Sequence, residues 1–274
     1  MTRVLFLFGL LLPSICFSAT PREVTTCGAF KERFMFALWS SAAGPPNPER
    51  VAGKLGVKEY EFEAGDGRLL RGYVVKSPEP SVESTITVVL LGNAMLADQV
   101  VGDFDRFLSA GSDVLILDYR GYGRSEGIRR LKAMVLDYQE AFDKLSSSYA
   151  RLRIYAMSFG GVIAGNSLHR LETKRSNIKL VIDAAPSFLS KDGCPEEYDL
   201  VRNLDLRIPT LVVYGTEDTV VGAARTRDLV DLAAKQGVDV YRCEGCEHPM
   251  MGPREEWNRR IDKAADFLFG KTNG

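Results

Sequence analysis

The stretch YAMSFGG, residues 155–161, sets Ser158 among small side chains where one apolar run ends and another begins. A serine hydroxyl is a poor nucleophile near neutral pH and needs a base in contact with it. The chain contains two histidines, which narrows the search. His169 lies eleven residues beyond Ser158 in the same helical pattern. At about 1.5 Å per residue it sits roughly 16 Å from the serine, too far to take its proton. His169 is therefore expected to be a helix-surface or packing residue. His248 follows the last strand-like run, in CEGCEHPMMG, and is the candidate base. Such a base needs a carboxylate to fix its tautomer and stabilise the imidazolium. Asp218 and Glu217 in YGTEDTVV, and Asp183 in IDAAP, are the acids at the ends of strand-like runs.

These residues must be brought together by the elements around them. VKEYEFE and RLLRGYVVK alternate in polarity about an AGDG turn and predict a hairpin. Six buried strand runs follow: ITVVLLG, DVLILDY, RLRIYAM, KLVIDAA, TLVVYG and VDVYRC. Helical patterns separate most of them, among them LKAMVLDYQEAFDKL, GAARTRDLVDLAAKQ and REEWNRRIDKAADFLF. This alternation predicts a mainly parallel, eight-stranded sheet with helices on both faces. About twenty-five residues separate KLVIDAA from TLVVYG, room for a loop or a short helix but not for a large cap.

The amino-terminal part reads differently. Arg3 precedes the apolar run VLFLFGLLLPSICF, which has the length of a secretory signal core and is short for a membrane span. Residues 1–18 are expected to be a signal peptide cleaved after Ser18, giving an exported protein with no membrane span; an uncleaved membrane anchor is the alternative. Residues 19–50 are read as a helix and a proline-rich linker, SAAGPPNPER. In GAFKERFMFALWS, Phe30, Phe34 and Leu38 fall at helical spacing and are expected to pack on the body of the protein. A membrane-surface helix is the less favoured reading, because the polar face is thin in Lys and Arg. Residues 51–270 form the main domain.

Composition excludes some partners. The formal charge is −1 and no basic cluster stands out, which argues against nucleic acid. Beyond the leader lie Cys27, Cys194, Cys243 and Cys246, which allow two disulfides in three connectivities. The pair in CEGCEH could be half of a zinc site, but a tetrahedral site needs four ligands and would divert the histidine. A disulfide involving Cys243 or Cys246 is expected instead.

The order of elements, the antiparallel start and the serine after the fifth strand resemble the α/β-hydrolase superfamily over roughly residues 50–270. The nearest pattern is a subgroup marked by GNA at 92–94 and DYRGYGRSEG at 118–127, which includes serine hydrolases of lipid esters and acyl-thioesters. The resemblance implies a Ser158–Asp218–His248 triad, with oxyanion donors at the backbone N–H groups of Phe159 and Asn93 (Ala94 the alternative). Two departures stand out. Ala156 replaces the first glycine of G-x-S-x-G, and Leu91 replaces the histidine of H-G-N-A. The implied activity is hydrolysis of a carboxylic ester or thioester on a small or lipid-like acyl substrate, without metal or organic cofactor. A serine peptidase, or a non-catalytic binding protein on the same scaffold, are the alternatives.

Overall fold

The computed structural model describes residues 22–171 and 176–270. The proposed signal peptide lies outside the described residues. Eight strands form one sheet: β1 (Val57–Glu63), β2 (Leu69–Val75), β3 (Thr85–Leu90), β4 (Asp113–Leu117), β5 (Arg151–Met157), β6 (Ile178–Asp183), β7 (Thr210–Gly215) and β8 (Asp239–Cys243). Their spatial order is β1-β2-β4-β3-β5-β6-β7-β8. β1 pairs antiparallel with β2, and β2 antiparallel with β4; every other pair is parallel. This is the α/β-hydrolase fold, with the strands placed where their sequence runs predict them.

The central strands read as unbroken apolar runs because both faces of the sheet are covered. Every residue of β3 is buried, and so are six of the seven in β5. The helices are α1 (Ala29–Ala43), α2 (Ala97–Val100), α3 (Asp105–Ser109), α4 (Leu131–Ser148), α5 (Phe159–His169), α6 (Leu200–Asn203), α7 (Gly222–Lys235) and α8 (Arg254–Phe269). α5 is the central one, with ten of its eleven residues buried. Between β6 and β7 the chain makes only two 3₁₀ turns and the four-residue α6, so there is no large cap.

The amino-terminal region departs from expectation in two ways. The helix runs on through Ser41, Ala42 and Ala43, so the proline-rich linker starts at Gly44. More consequentially, Phe30, Phe34 and Leu38 face solvent. The faces turned inward carry Glu32, Phe36 and Ala43, with Trp39 half-buried beside them. α1 is apolar on two sides, and the side with the regular four-residue spacing is the outer one. Among the described residues, no helix is long and apolar enough to cross a membrane.

Both cysteine pairs close, Cys27 with Cys194 and Cys243 with Cys246. The first ties the start of α1 to the β6–β7 connection. The second closes the turn before His248, and its sulfurs are thereby removed as zinc ligands.

Candidate active site

Ser158 stands at the sharp turn from β5 into α5, with φ 52° and ψ −120°. A side chain in this left-handed region is strained by order 1–3 kcal/mol and persists only where the surroundings enforce it. Here they do. The Ser158 N–H donates to the carbonyl of Asp183 at 2.7 Å, and the serine carbonyl accepts from Gly161 at 3.0 Å. The start of α5 is pressed against the end of β3. A Cβ at Gly160 would sit 2.5 Å from the Leu90 carbonyl oxygen and 2.7 Å from that of Leu91. One at Gly161 would lie 2.6 Å from the Ala185 methyl. On the other side of the turn, Ala156 lies in the ladder between Leu90 and Ile182, fully buried. Its methyl is accommodated there, which explains why a glycine is not required.

The turn after β3 lies beside the serine. A Cβ on Gly92 would be 3.5 Å from that of Ser158. Ala94 in this turn has φ 60°. Asn93 lines the same cavity as Ser158, Phe159 and His248. The Asn93 side-chain oxygen is buried without a partner. Phe159 is the first residue of α5, where a backbone N–H has no partner within the helix. That amide, with the Gly92–Ala94 turn packed against the serine, is an arrangement suited to an anionic oxygen.

His248 Nδ1 lies 2.8 Å from Asp218 Oδ2. The other carboxylate oxygen accepts from the amides of Val220 at 2.8 Å and Val221 at 3.0 Å. Burial pushes the Asp218 carboxyl up, but the His248 hydrogen bond and charge and the two amides outweigh it and hold it below its usual range. When the ring is neutral and Asp218 ionised, Nδ1 is the donor and Nε2 carries the lone pair. The loops carrying these two residues are stitched together. Thr216 N–H donates to Cys243 O at 3.1 Å, Glu217 N–H to Cys246 O at 3.0 Å, and Gly245 N–H to Thr216 Oγ1 at 2.8 Å.

The alternative acids are placed apart from this pair. Glu217 presents its backbone to the Cys246 loop, and the carboxylate that meets His248 Nδ1 is that of Asp218. Asp183 is fully buried and committed elsewhere: it pairs with Arg260 of α8 and accepts from the Tyr155 hydroxyl at 2.7 Å. His169 is exposed at the end of α5.

The cavity in front of Ser158 and His248 has a volume of about 330 Å³. Its walls are mainly apolar, from Met35, Phe36, Trp39, Phe159, Leu189 and Val221, and include the Cys27–Cys194 bridge. Phe36, Trp39 and Phe159 form an aromatic group with ring centroids 5.5–6.0 Å apart. Sequence reasoning missed the role of α1 here. The only signal was a second apolar set, Met35, Phe36 and Trp39, beside the one with regular spacing.

Comparison with known proteins agrees with this architecture. Residues 85–204, less than half of the chain, match the family model described as serine aminopeptidase, S33. No curated protein matches by sequence. Among solved structures, an esterase of Pyrococcus furiosus superposes with a TM-score of 0.62 at 17% identity, covering 83% of this chain and 95% of that one. A putative α/β hydrolase of Agrobacterium tumefaciens gives 0.57 at 21% identity, over 76% and 91% of the two chains. A puromycin-hydrolyzing peptidase of Mycobacterium tuberculosis gives 0.59 at 17% identity, over 81% of this chain and 41% of that one. At these identities the structural likeness speaks for the fold.

Proposed function

We propose that this protein is an exported serine hydrolase that cleaves a carboxylic ester or thioester through an acyl-enzyme on Ser158. The observation that carries the reading is the opening of Ser158 and of the Asp218-bound His248 into one apolar cavity. Ser158 Oγ attacks the acyl carbonyl while His248 Nε2 takes its proton, and Asp218 holds the ring and balances its charge. The negative oxygen is met by the N–H groups of Phe159 and Asn93. Collapse breaks the bond to the alcohol or thiol, which leaves with the proton from His248. Water then attacks the acyl-serine, giving up its proton to the same nitrogen; the acyl C–Oγ bond breaks, His248 returns that proton to Ser158 Oγ, and the carboxylic acid departs. Every step is proton transfer and acyl transfer among these residues. Two disulfides in a chain with a signal-like leader support export.

The family match favours one further reading, a peptidase acting on a chain terminus. The short β6–β7 connection offers little to select a peptide end, and the apolar cavity suits an acyl group better. A fluorophosphonate probe and a series of p-nitrophenyl esters, run beside amino-acyl p-nitroanilides, separate the readings. Ester turnover and labelling are expected, both lost by at least about 10³-fold in Ser158→Ala and nearly as severely in His248→Ala. His169→Ala is expected to keep activity. Turnover of the anilides alone would favour the peptidase. Unlabelled protein without turnover of either would leave a binding protein.

A further inference from the structure

Helix α1 turns one apolar side into the cavity and another outward. Phe30, Phe34 and Leu38 are 83%, 58% and 53% exposed, and the rings of Phe30 and Phe34 stack with centroids 6.2 Å apart. At a spacing of four residues they form one stripe along the helix. Lys31 and Arg33 are exposed with them. The only acid of the helix, Glu32, is buried, and its carboxylate accepts from the amides of Thr26, Cys27 and Leu131. Lys31 turns its Nζ to the carbonyl of Asp192 at the cavity rim, so the outward face combines two phenylalanines and a leucine with the Arg33 cation and no anion of the helix. The stripe also adjoins the cavity, since Lys31 and Met35 on the next face of α1 line it. The bridge from Cys27 to Cys194 fixes the start of the helix to the far wall.

We propose that α1 docks this face onto a lipid surface carrying anionic headgroups, and that the hydrolysed substrate is an acyl lipid taken from that surface into the adjoining cavity. The substrate half of this statement rests on the hydrolase reading above; the docking half does not. Aromatic and leucine side chains enter the headgroup–acyl boundary, while Arg33 stays at headgroup level and meets its negative charge. A lipid seated there would have its acyl chain beside Met35, Phe36 and Trp39, at the entrance that leads to Ser158.

The test is cosedimentation of the purified protein with phosphatidylcholine vesicles, with and without phosphatidylglycerol. Binding is expected, tighter when phosphatidylglycerol is present. The triple variant Phe30→Ser/Phe34→Ser/Leu38→Ser should bind about tenfold more weakly or worse, with an unchanged melting temperature and unchanged turnover of p-nitrophenyl acetate. Arg33→Gln should lower the advantage of the anionic vesicles only. Ser158→Ala should bind like the parent, which separates docking from hydrolysis. Equal binding by parent and triple variant would overturn the docking. So would a dimer in solution that the triple variant dissociates, since the stripe would then cover a second copy. Docking without turnover of any ester would leave the surface in place and remove the substrate half.

Discussion

Arg260 donates to the carbonyl of Glu247, the residue directly before His248, and at the same time to the buried carboxylate of Asp183. One guanidinium from the last helix thus fixes both the floor of the site and the loop that carries the base. It is 1% exposed, so neither contact has water as a substitute.

Replacing Arg260 with Met should therefore destabilise the fold by about 3–5 kcal/mol, the usual cost of leaving one member of a buried pair alone. Arg260→Lys keeps the charge but not the two-pronged reach, and should fall between. In the lysine variant kcat on a soluble ester should drop more than KM rises, because His248 is displaced while the cavity walls remain. Urea denaturation and steady-state kinetics measure the two effects.

The backbone of Ser158 predicts a trade between stability and activity. Glycine tolerates φ 52° without penalty, whereas alanine retains the strained Cβ. Ser158→Gly should be more stable than Ser158→Ala by about 1 kcal/mol, with both inactive. An alanine variant at least as stable as the glycine variant in thermal melts would mean that the turn is not under strain.

Asp118, at the end of β4, makes stability pH-dependent. Burial pushes its carboxyl up to about 6, against the lowering effect of the Ala97 and Arg124 amides. The folded state thus holds the proton more tightly than the unfolded chain, whose value is about 3.9. The stabilising contribution is fully present below pH 4 and is lost as pH rises to 6. Asp118→Asn keeps the acceptor that Ala97 N–H uses at 2.7 Å and removes the ionisation. It should match the parent near pH 4 and exceed it at pH 7, by up to about 3 kcal/mol, in urea titrations at the two values.

The two disulfides should fail differently. Cys27 and Cys194 are 167 residues apart, so the double serine variant should lose up to about 5 kcal/mol through loop entropy. Turnover of long-chain esters should suffer most, since α1 is a cavity wall. Cys243 and Cys246 are only three residues apart. Their double serine variant should lose less stability and more kcat on short esters, because the His248 loop is loosened. A differential melt and a chain-length series would read both.

Much of this was legible before any coordinates. The central strands announced themselves as apolar runs, because a strand covered on both faces has no polar side to confuse the pattern, while β1 and β2 showed as an alternating hairpin. Ser158, Asp218 and His248 each follow such a run, so the sheet carries them to one edge, and the structure pairs the last two. α1 was harder. Its sequence is apolar on two faces, and spacing cannot say which one meets the protein; that is decided by Phe159 and the Cys194 bridge, more than a hundred residues away. Arg260 looked like one of several charges in REEWNRRIDKAADFLF, and only the helix phase against β6 buries it. The cysteine pairing was likewise open, since three connectivities satisfy the same four residues.

That pairing bears on how the protein matures. Beyond Ser18 the cysteines occur in the order 27, 194, 243, 246, and they bond in that order, first with second and third with fourth. Once the proposed leader is removed, and Cys16 with it, a chain oxidised as it emerges, amino terminus first, offers Cys27 no partner until Cys194 arrives, and that partner is the native one. Cys243 and Cys246 then have only each other. Sequential oxidation therefore reaches the native bonds directly, and the protein should mature without help from an enzyme that reshuffles disulfides.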